Sequence, residues 1–356
     1  MYQPIPVTRN SQPAKKPAPD QPLGFGQIFT DHMFTMDYID GQGWINPRIE
    51  PYAPICLDPS AMVFHYGQAI FEGLKAYRVA DGSINLFRPR LNFERANVSN
   101  ARMVIPQIDP DFCVYALKEL IKVEQDWIPT APGTSLYIRP FIIATDQFLG
   151  VRPSHTYKFM IILSPSGAYY PQGLNPVNIY VENEYVRAVK GGTGFAKTPA
   201  NYAASLIAQA NAYAAGYVQV LWLDGVHRKY VEEVGSMNVF FVINGKLVTP
   251  ALNGSILPGI TRRTVLELAK SLGIPTDERT VDIDELFAQA KAGEVSEVFG
   301  SGTAAVISPV GELKYNHETM YFNEGRIGKF SQMFYDIITD VQYGIKPDEY
   351  GWIEKV

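Results

Sequence analysis

The stretch GGTGFAKTPANYAAS, residues 191–205, contains one charged side chain, Lys197, among small residues and a single tyrosine. Lysines are mostly exposed and stand among other polar residues, so this setting indicates a lysine kept for chemistry. An amine that condenses with a carbonyl must spend time unprotonated, which a poorly solvated environment favours. The small neighbours would also let a flat ring approach the backbone. The alternative is an ordinary lysine in a flexible glycine-rich turn.

The composition describes a globular protein of more than one domain. The chain has 356 residues, of which 46% are hydrophobic and 19% charged, and this length exceeds that of a typical single domain. A net charge of -5 gives no general attraction to phosphate backbones, so we expect no nucleic-acid partner. No apolar run reaches the length of a membrane span, so no membrane association is expected. Cys56 and Cys113 form no CxxC motif, which predicts no metal site and a reducing compartment, most simply the cytoplasm.

Changes in pattern along the chain predict two domains of mixed α/β class. Residues 1–24 are rich in proline and polar residues and predict a flexible N-terminal tail. Strand-like runs dominate residues 25–168, the predicted small α/β domain. Two prolines and two glycines in residues 167–180 predict an interdomain loop at 169–178. Helical and strand patterns then alternate through 179–356, the predicted large domain.

Three helices are predicted from periodicity and start signals. RPRLNFERANVSNARMV, residues 88–104, has a proline near its start. DPDFCVYALKELIKVEQDWIP, residues 109–129, begins at an Asp-Pro-Asp signal and repeats apolar residues at helical spacing. NYAASLIAQANAYAAG, residues 201–216, is expected to form one helix that ends at a glycine.

Two neighbouring stretches could form a site with Lys197. Tyr202 falls at the start of the helix that follows, where its phenol could donate to a ring oxygen; the alternative is a half-buried tyrosine with its hydroxyl at the rim. Glu232 and Glu233 stand just ahead of an apolar strand. A carboxylate there could hold the proton on a pyridine nitrogen, or the two could be a solvated charge pair.

Three stretches could bind a phosphate. The helix start ILPGITRRTVLELAK, residues 256–270, offers backbone N–H groups and the hydroxyl of Thr261, which could equally be the N-cap. The turn FGSGTAAV, residues 299–306, could form an anion-binding nest. One arginine of the helix at 88–104 could grip a phosphate with two hydrogen bonds, while the others form a solvated face; the candidates are Arg88, Arg90, Arg95 and Arg102.

Tyr137 and Arg139 lie two positions apart in the strand-like run LYIRPFI, so they share one face of the predicted strand. An arginine within so apolar a strand needs a partner. A substrate carboxylate and an internal carboxylate remain equally open.

Eleven stretches, in register along nearly the whole chain from residue 29 to 342, resemble the branched-chain aminotransferases, which are pyridoxal-phosphate enzymes of fold type IV. The stretches are FTDHM, FHYGQAIFEGLKAY, LFRPRLN, LYIRPF, LGV, SGAYY, GGTGFAKTPANYAASLIAQANA, QVLWLDG, EEVGSMNVFFV, SILPGITRR and FGSGTA. The resemblance implies two lobes, each with a β-sheet or barrel-like core and flanking helices, and an active site between them.

The resemblance also implies a site for pyridoxal 5′-phosphate. Lys197 would hold the cofactor as an internal aldimine and shuttle the proton between Cα and C4′. Glu233 would pair with the pyridine nitrogen and Tyr202 with O3′. The other implied cofactor-binding residues are Arg95, Leu257, Ile260, Thr261 and Thr303.

The implied reaction moves an amino group between L-leucine, L-isoleucine or L-valine and 2-oxoglutarate, forming branched-chain 2-oxo acids and L-glutamate. The implied substrate-binding residues are Phe29, Tyr66, Phe71, Tyr137, Arg139, Val151, Tyr169, Ser236, Ala304 and Ala305. Tyr66, Leu149 and Val151 would come from the other subunit, which implies a homodimer.

Two alternatives to this function are distinguishable. A D-amino-acid aminotransferase or an aminodeoxychorismate lyase would share the lysine and the glutamate, but such chains are usually shorter and lack the FTDHM segment. A non-catalytic binding protein would be expected to lack Lys197 or Glu233, and both are present. The run SGTAAVISP has no cysteine, which excludes the thiol pair that animal members carry there.

Overall fold

The computed structural model describes residues 2–18, 21–167 and 174–356, and its strands and helices alternate as expected for the α/β class. Tyr169 and the first part of the predicted loop 169–178 lie outside the described residues. The strands are β1 His32–Ile39, β2 Gly43–Pro51, β3 Ala69–Phe71, β4 Leu74–Arg78, β5 Ile84–Phe87, β6 Ser135–Ala144, β7 Thr156–Ser166, β8 Val177–Glu182, β9 Gln219–Leu223, β10 Val231–Val234, β11 Met237–Ile243, β12 Lys246–Pro250, β13 Thr276–Arg279, β14 Val295–Gly302, β15 Val306–Tyr315, β16 Glu318–Tyr321 and β17 Ile353–Lys355.

The helices lie between single strands or groups of strands in the sequence. They are α1 Met62–Tyr66, α2 Pro89–Met103, α3 Pro110–Glu124, α4 Pro199–Ala203, α5 Leu206–Ala214, α6 Ile260–Ser271, α7 Ile283–Lys291 and α8 Lys329–Gln342, with short 3-10 turns at Gln125–Trp127 and Asn323–Gly325. Within the described ranges, none of the helices is both long and apolar enough to cross a bilayer. The same ranges contain no group of three or more His, Cys, Asp or Glu residues arranged to hold a metal ion.

The chain divides into two compact units. Unit 1 contains the described residues of Met1–Pro171 together with Ala196–Pro199 and Asp340–Val356. Unit 2 contains those of Gln172–Phe195 together with Ala200–Thr339. Lys197 therefore belongs to unit 1, although the residues on both sides of its short segment belong to unit 2.

Unit 1 is built on an antiparallel sheet with the strand order β17-β5-β4-β6-β7-β1-β2, and β3 pairs with β6. Helix α3 packs into the core of this unit because its apolar residues repeat at helical spacing. Asp109 caps α3 by accepting a hydrogen bond from the backbone N–H of Asp111, and Pro110 occupies the first turn. The predicted helices at 88–104 and 109–129 are thus present as α2 and α3.

The N-terminal segment makes specific contacts within unit 1. Ile5 is 7% exposed and belongs to the core cluster, and Val7 forms a β-bridge with Ile49 in β2. The backbone N–H of Asn10 donates to His32 Nε2 at 2.8 Å. Composition alone did not indicate these contacts, since isolated apolar residues between prolines carry no periodic pattern.

Unit 2 is built on a mixed sheet with the strand order β10-β9-β8-β15-β14-β11-β12-β13. The pairs β8–β9, β8–β15 and β12–β13 are parallel and the others are antiparallel. Strand β11 is buried along its whole length, as its sequence MNVFFVI, apolar at every position but Asn238, predicts for a strand covered on both faces. Phe240 in β11 stacks on Phe299 in β14 with ring centroids 5.2 Å apart.

The helix predicted at residues 201–216 is divided in two. Helix α4 ends at Ala203 and α5 begins at Leu206. The backbone N–H and the hydroxyl of Ser205 both donate to the carbonyl of Tyr202, which closes a turn between the two helices. A serine that bonds to a nearby carbonyl competes with helical hydrogen bonds, which explains the break.

Candidate active site

The backbone of Lys197 is fixed on both sides by residues of unit 1. Its N–H donates to Ser99 Oγ at 2.8 Å, and its carbonyl accepts from the N–H of Phe71 at 3.0 Å. The hydroxyl of the next residue, Thr198, donates to the carbonyl of Ala69 at 2.9 Å. The lysine therefore does not sit in a loose glycine turn, because three hydrogen bonds hold its segment against β3 and α2.

The Lys197 side chain lies with three residues that were predicted to bind substrate. Its Nζ is 4.7 Å from the ring centroid of Phe71, and the guanidinium of Arg139 is 4.9 Å from the same centroid. Arg139 Nη2 donates to Tyr137 Oη at 3.2 Å. Lys197 as a residue is half-buried. This arrangement places an amine and a guanidinium around one aromatic ring.

The position of the Tyr137 hydroxyl depends on a glycine. A Cβ on Gly73 would overlap Tyr137 Oη, so any larger residue there would displace this hydroxyl. The ring of Tyr137 also packs edge-on against Phe25, with centroids 4.8 Å apart. A glycine and an aromatic neighbour thus define where the hydroxyl meets Arg139.

Arg139 has hydrogen-bonding capacity that its surroundings do not use. Its Nε is buried and has no hydrogen-bond partner within the part of the chain that the structure describes. None of the described carboxylates forms an ion pair with it, so the internal partner considered from the sequence is not found there. A half-buried guanidinium with an unused, buried Nε donor is suited to a carboxylate supplied by a ligand.

Arg95 is the buried one among the four arginines considered from the sequence. It lies in α2 at 8% exposure, and its Nε and Nη2 donate to the two carboxylate oxygens of Glu72 at 2.8 and 2.7 Å. Glu72 is fully buried and also accepts from Asn92 Nδ2 at 2.9 Å. By contrast, Arg90 pairs with the exposed Asp111. The guanidinium of Arg95 is therefore oriented by a buried carboxylate, which sequence reasoning missed.

The two glutamates of the EEVGSM stretch lie within the short strand β10, just ahead of the apolar strand β11 as predicted. Successive residues of a strand point to opposite faces. Glu233 Oε1 accepts from the backbone N–H of Leu257 at 2.8 Å, while its Oε2 lies 3.0 Å from Arg187 Nε. Glu232 instead accepts from the hydroxyl of Ser255. Both glutamates are buried, which excludes the solvated charge pair.

Arg187 is a second residue that sequence reasoning missed. It is 9% exposed, and its Nη2 donates to the carbonyl of Ser255. The only sign of Arg187 in the sequence was its position as a charged residue close to the glycine-rich stretch at 191–194. This position alone does not predict which residue it contacts. The carboxylate that faces it, Glu233, comes from a strand that begins far along the chain.

The start of helix α6 offers backbone donors within unit 2. Gly259 is the N-cap, with φ -69° and ψ 137°, and it makes no side-chain capping hydrogen bond. Thr261 lies in the first turn at 8% exposure, so it is not the N-cap that the sequence allowed as an alternative. A Cβ on Gly259 would overlap Asn238 Oδ1. An uncapped helix start with a buried threonine suits a phosphate group.

Two further predicted segments of unit 2 are tight turns. Thr303, Ala304 and Ala305 form the half-buried turn between β14 and β15. The next residue, Val306, has φ 62°, a left-handed conformation that is rare and strained for a β-branched side chain. Exposed Ser236 follows Gly235, with φ 56°, in the two-residue hairpin between β10 and β11.

Two other predicted residues of unit 1 have contacts outside this group. Phe29 stacks on Tyr52 with ring centroids 5.2 Å apart. Tyr66 donates its hydroxyl to the carbonyl of Leu149. Val151 is 86% exposed, and Tyr202 is half-buried in α4. The structure thus groups Phe71, Tyr137 and Arg139 with Lys197 and gives Phe29 and Tyr66 different partners.

The family model described as "Amino-transferase class IV" matches residues 69–313, more than half of the chain. This stretch contains Lys197, Arg95 and Glu233 together with the elements that position them. The chain belongs to the class IV aminotransferase family.

Within this family, the similar proteins indicate which kind of aminotransferase the chain resembles. Branched-chain-amino-acid aminotransferase 2 of Bacillus subtilis (strain 168) is 58% identical over 343 residues, which covers 96% of this chain and 94% of that protein. The structure of the Escherichia coli branched-chain amino acid aminotransferase matches with a TM-score of 0.77 at 28% identity, covering 91% of this chain and 98% of that one. That of Thermobaculum terrenum, in its PLP form, matches with a TM-score of 0.75 at 25% identity, covering 92% and 99%. The predicted resemblance, fold class and enzyme class are confirmed.

Proposed function

We propose that this chain is a branched-chain amino acid aminotransferase that exchanges an amino group between L-leucine, L-isoleucine or L-valine and 2-oxoglutarate. The products are the branched-chain 2-oxo acids and L-glutamate. Pyridoxal 5′-phosphate is its cofactor, and Lys197 binds it covalently. The observation that carries the proposal is the Lys197 amine, 4.7 Å from the Phe71 ring centroid, beside the underused guanidinium of Arg139.

The residues present fit the functional groups of this cofactor. Its aldehyde requires an amine, which Lys197 provides. Its phosphate requires cationic and N–H donors, which Arg95 and the uncapped start of α6 around Thr261 provide. Its ring nitrogen requires a buried carboxylate, which Glu233 provides. We propose that Tyr202, Leu257, Ile260 and Thr303 complete the contacts of the cofactor.

Bound pyridoxal phosphate supplies an electron sink for negative charge that develops at the substrate Cα. The protein's part is to hold and move protons. Lys197 Nζ takes the proton from Cα and returns it at C4′ of the cofactor, for which its position must be reproducible. The hydrogen bonds of its N–H to Ser99 and of its carbonyl from Phe71 keep the lysine backbone in place.

The pocket must accept an apolar side chain and the carboxylate of glutamate in turn. We propose that Phe71 and Tyr137 contact the apolar chains, while Arg139 and Tyr137 bind the distal carboxylate of glutamate. Arg139 and Tyr137 already bond to each other at 3.2 Å. They therefore lose little when an apolar substrate arrives, whereas isolated polar groups would be left unpaired. Phe29 and Tyr169 complete the walls, and Ser236, Ala304 and Ala305 bind the α-carboxylate through backbone amides.

We propose a homodimer in the cytoplasm as the working form. Tyr66, Leu149 and Val151 would complete the pocket of the partner subunit. Leu149 is 65% and Val151 86% exposed, although both are apolar, and Phe64 of the same unit is 61% exposed. Exposed large apolar side chains that lie together are typical of an interface between chains. This exposure supports a second copy of the chain as the cover of these side chains.

The proposal is tested with Lys197→Ala, with Lys190→Ala as the matched control. Lys190 is an exposed lysine just before the same glycine-rich segment. We expect Lys197→Ala to fold, to lose the visible absorbance of covalently bound cofactor, and to show no transamination of L-leucine with 2-oxoglutarate. Lys190→Ala should keep both properties.

Three outcomes count against the proposal. Normal turnover in Lys197→Ala would remove the lysine from the mechanism. Wild-type turnover of D-alanine instead of L-leucine would identify a D-amino-acid aminotransferase. Release of pyruvate from aminodeoxychorismate, without amino transfer to 2-oxoglutarate, would identify a lyase.

A further inference from the structure

The carboxylate proposed to pair with the cofactor ring nitrogen, Glu233, has a buried cation beside it. Arg187 Nε lies 3.0 Å from Glu233 Oε2, and the two side chains are 7% and 4% exposed. The N–H of Nε is not aligned with a hydrogen-bond acceptor, so this contact acts as an ion pair. We propose that Arg187 is a positioning residue that holds Glu233 charged and fixed for the ring nitrogen. The inference rests on the proposed function.

Arg187 and Glu233 are anchored to the same connecting segment. Glu233 Oε1 accepts from the backbone N–H of Leu257 at 2.8 Å, and Asn238 Nδ2 approaches the same oxygen at 3.4 Å. Arg187 Nη2 donates to the carbonyl of Ser255, two residues before Leu257. The segment between β12 and α6 therefore ties both partners, and it fixes the rotamer of the carboxylate with respect to the guanidinium.

The charge of Arg187 has a specific effect on Glu233. A buried carboxyl group without a cation is stabilised in its neutral form, because burial disfavours charge. A guanidinium in contact with it favours the carboxylate. Only the carboxylate can accept a hydrogen bond from a protonated ring nitrogen, and the protonated ring is the form that withdraws electrons. Arg187 thus acts on the cofactor through Glu233.

A purely structural role for Arg187 would have different consequences. As a tether of Ser255, it would affect folding and cofactor affinity but not the protonation of the ring. As a positioning residue, it changes the protonation state of bound cofactor even in a folded, fully loaded enzyme. The ring nitrogen is therefore the readout that separates the two roles.

The experiment loads the enzyme with pyridoxal phosphate that carries 15N in the ring and measures the ring 15N chemical shift by NMR between pH 6 and 9. The variants are Arg187→Gln, which removes the charge, and Arg187→Lys, which keeps it on a shorter chain. Glu232→Gln is the matched control, because Glu232 is the neighbouring buried carboxylate in β10 and bonds to Ser255 and not to Arg187. Absorbance of the bound cofactor and kcat are recorded on the same samples.

We expect the ring nitrogen of Arg187→Gln to move towards the shift of neutral pyridine, with kcat at least tenfold lower. Arg187→Lys should lie between this variant and the wild type, and Glu232→Gln should match the wild type. Should Arg187→Gln fail to fold, Arg187→Lys decides the matter. A loaded variant with the wild-type 15N shift and the wild-type kcat overturns the inference.

A separate control distinguishes this failure from failure of the proposed function. Glu233→Gln should move the 15N shift more than any Arg187 variant. An unchanged shift in Glu233→Gln would contradict the role proposed for Glu233 itself. A changed shift there, with no change in Arg187→Gln, would contradict only the role of Arg187.

Discussion

Under the proposed function, the single guanidinium of Arg139 serves two substrates. Its guanidinium packs on Phe71 and bonds to the Tyr137 hydroxyl, yet its buried Nε has no hydrogen-bond partner in the described part of the chain. Hydrogen bonds to charged groups contribute roughly 1.5–3 kcal/mol, which corresponds to about tenfold to a hundredfold in kcat/KM. A loss of kcat/KM of this size is expected for glutamate alone, because leucine has no distal carboxylate.

The Arg139→Ala variant is therefore expected to lose at least about tenfold more kcat/KM with L-glutamate than with L-leucine. Steady-state kinetics with both amino donors measure this difference. Arg48→Gln provides a control, because Arg48 pairs with Asp37 and Glu50 away from the Lys197 cluster. Equal losses for both donors in Arg139→Ala would show that the guanidinium does not bind the distal carboxylate.

Lys75 gives unit 1 a pH-dependent stability. Burial lowers the pKa of Lys75 from 10.5 to about 8. Below pH 8 the lysine is charged in both the folded and the unfolded state, so the full cost of burying the charge is present. Between pH 8 and 10.5 the folded state releases its proton first, and the free energy of unfolding should rise with pH.

The Lys75→Met variant should remove this dependence. The stability of the variant relative to the wild type should be higher at pH 7 than above pH 10.5 by an amount on the order of 3 kcal/mol, which is the free-energy equivalent of the pKa change. The difference should shrink between pH 8 and 10.5. Urea denaturation of cofactor-loaded protein at pH 7 and pH 9.5 provides the measurement, with Lys190→Met as an exposed control. A difference that grows with pH would contradict the sign of this argument.

The sequence predicts chemistry at single residues better than the partners of those residues. Lys197 stands out because its neighbours are small and uncharged, and the structure groups it with Phe71 and Arg139. Arg187 and Glu72 carry no such local sign. Each is defined by an ion pair to a residue on another element, and pairing between elements is set by tertiary packing, not by local pattern. The cofactor and substrate roles of the site residues remain predictions.

At the scale of elements, the glycine-rich segment is explained by packing within unit 2. A Cβ on Gly194 would overlap the backbone carbonyl of Ser255 and the side chain of Ala188. The sequence argument assigned the small residues to the approach of a flat ring. The contact at Gly194 gives an additional reason, because the same Ser255 carbonyl accepts the hydrogen bond from Arg187.

The Gly194→Ala variant should therefore be destabilised by about 1–3 kcal/mol, as expected when a side chain is forced against backbone. Gly167→Ala is the matched control, since among the described residues its Cβ would meet only the carbonyl of Gly24 at 3.8 Å. That control should stay within about 0.5 kcal/mol of the wild type. Urea denaturation at fixed cofactor concentration compares the two. Equal stability of both variants would mean that Ser255 moves aside without cost.

Elements with long patterns were predicted and short ones were not. Helix α3 begins where its Asp-Pro-Asp start signal predicts, and it ends at Glu124, five residues before the predicted end. Strand β10 has four residues, too few to show an alternation, so it was not predicted as a strand. The single helix expected at residues 201–216 failed at Ser205, whose hydroxyl bonds to Tyr202 and ends α4. Local hydrogen bonds of this kind are not visible in hydrophobic periodicity.

At the scale of the whole molecule, the exposed apolar residues of unit 1 predict a change in assembly on substitution. Leu149 and Val151 are 65% and 86% exposed. In Leu149→Asp/Val151→Asp, the introduced charges would have to be buried at the proposed subunit contact, which is costly without a partner. We expect a monomer by light scattering and a loss of turnover.

The control variant is Val226→Asp, at a valine of unit 2 that is 72% exposed, and it should stay dimeric and active. An active, monomeric double variant would show that each chain completes its own pocket.

The place of β17 in unit 1 has a consequence for how the chain folds during synthesis. Strand β17 pairs with β5, and the carbonyl of Trp352 accepts from the N–H of Arg88. Unit 2, which lies between them in the chain, can emerge from the ribosome and collapse while the outer edge of β5 still lacks its neighbour. Unit 1, most of which is synthesised first, is thus completed last. In a ribosome complex stalled before Ile353, the edge of β5 would be unpaired and accessible to chaperones.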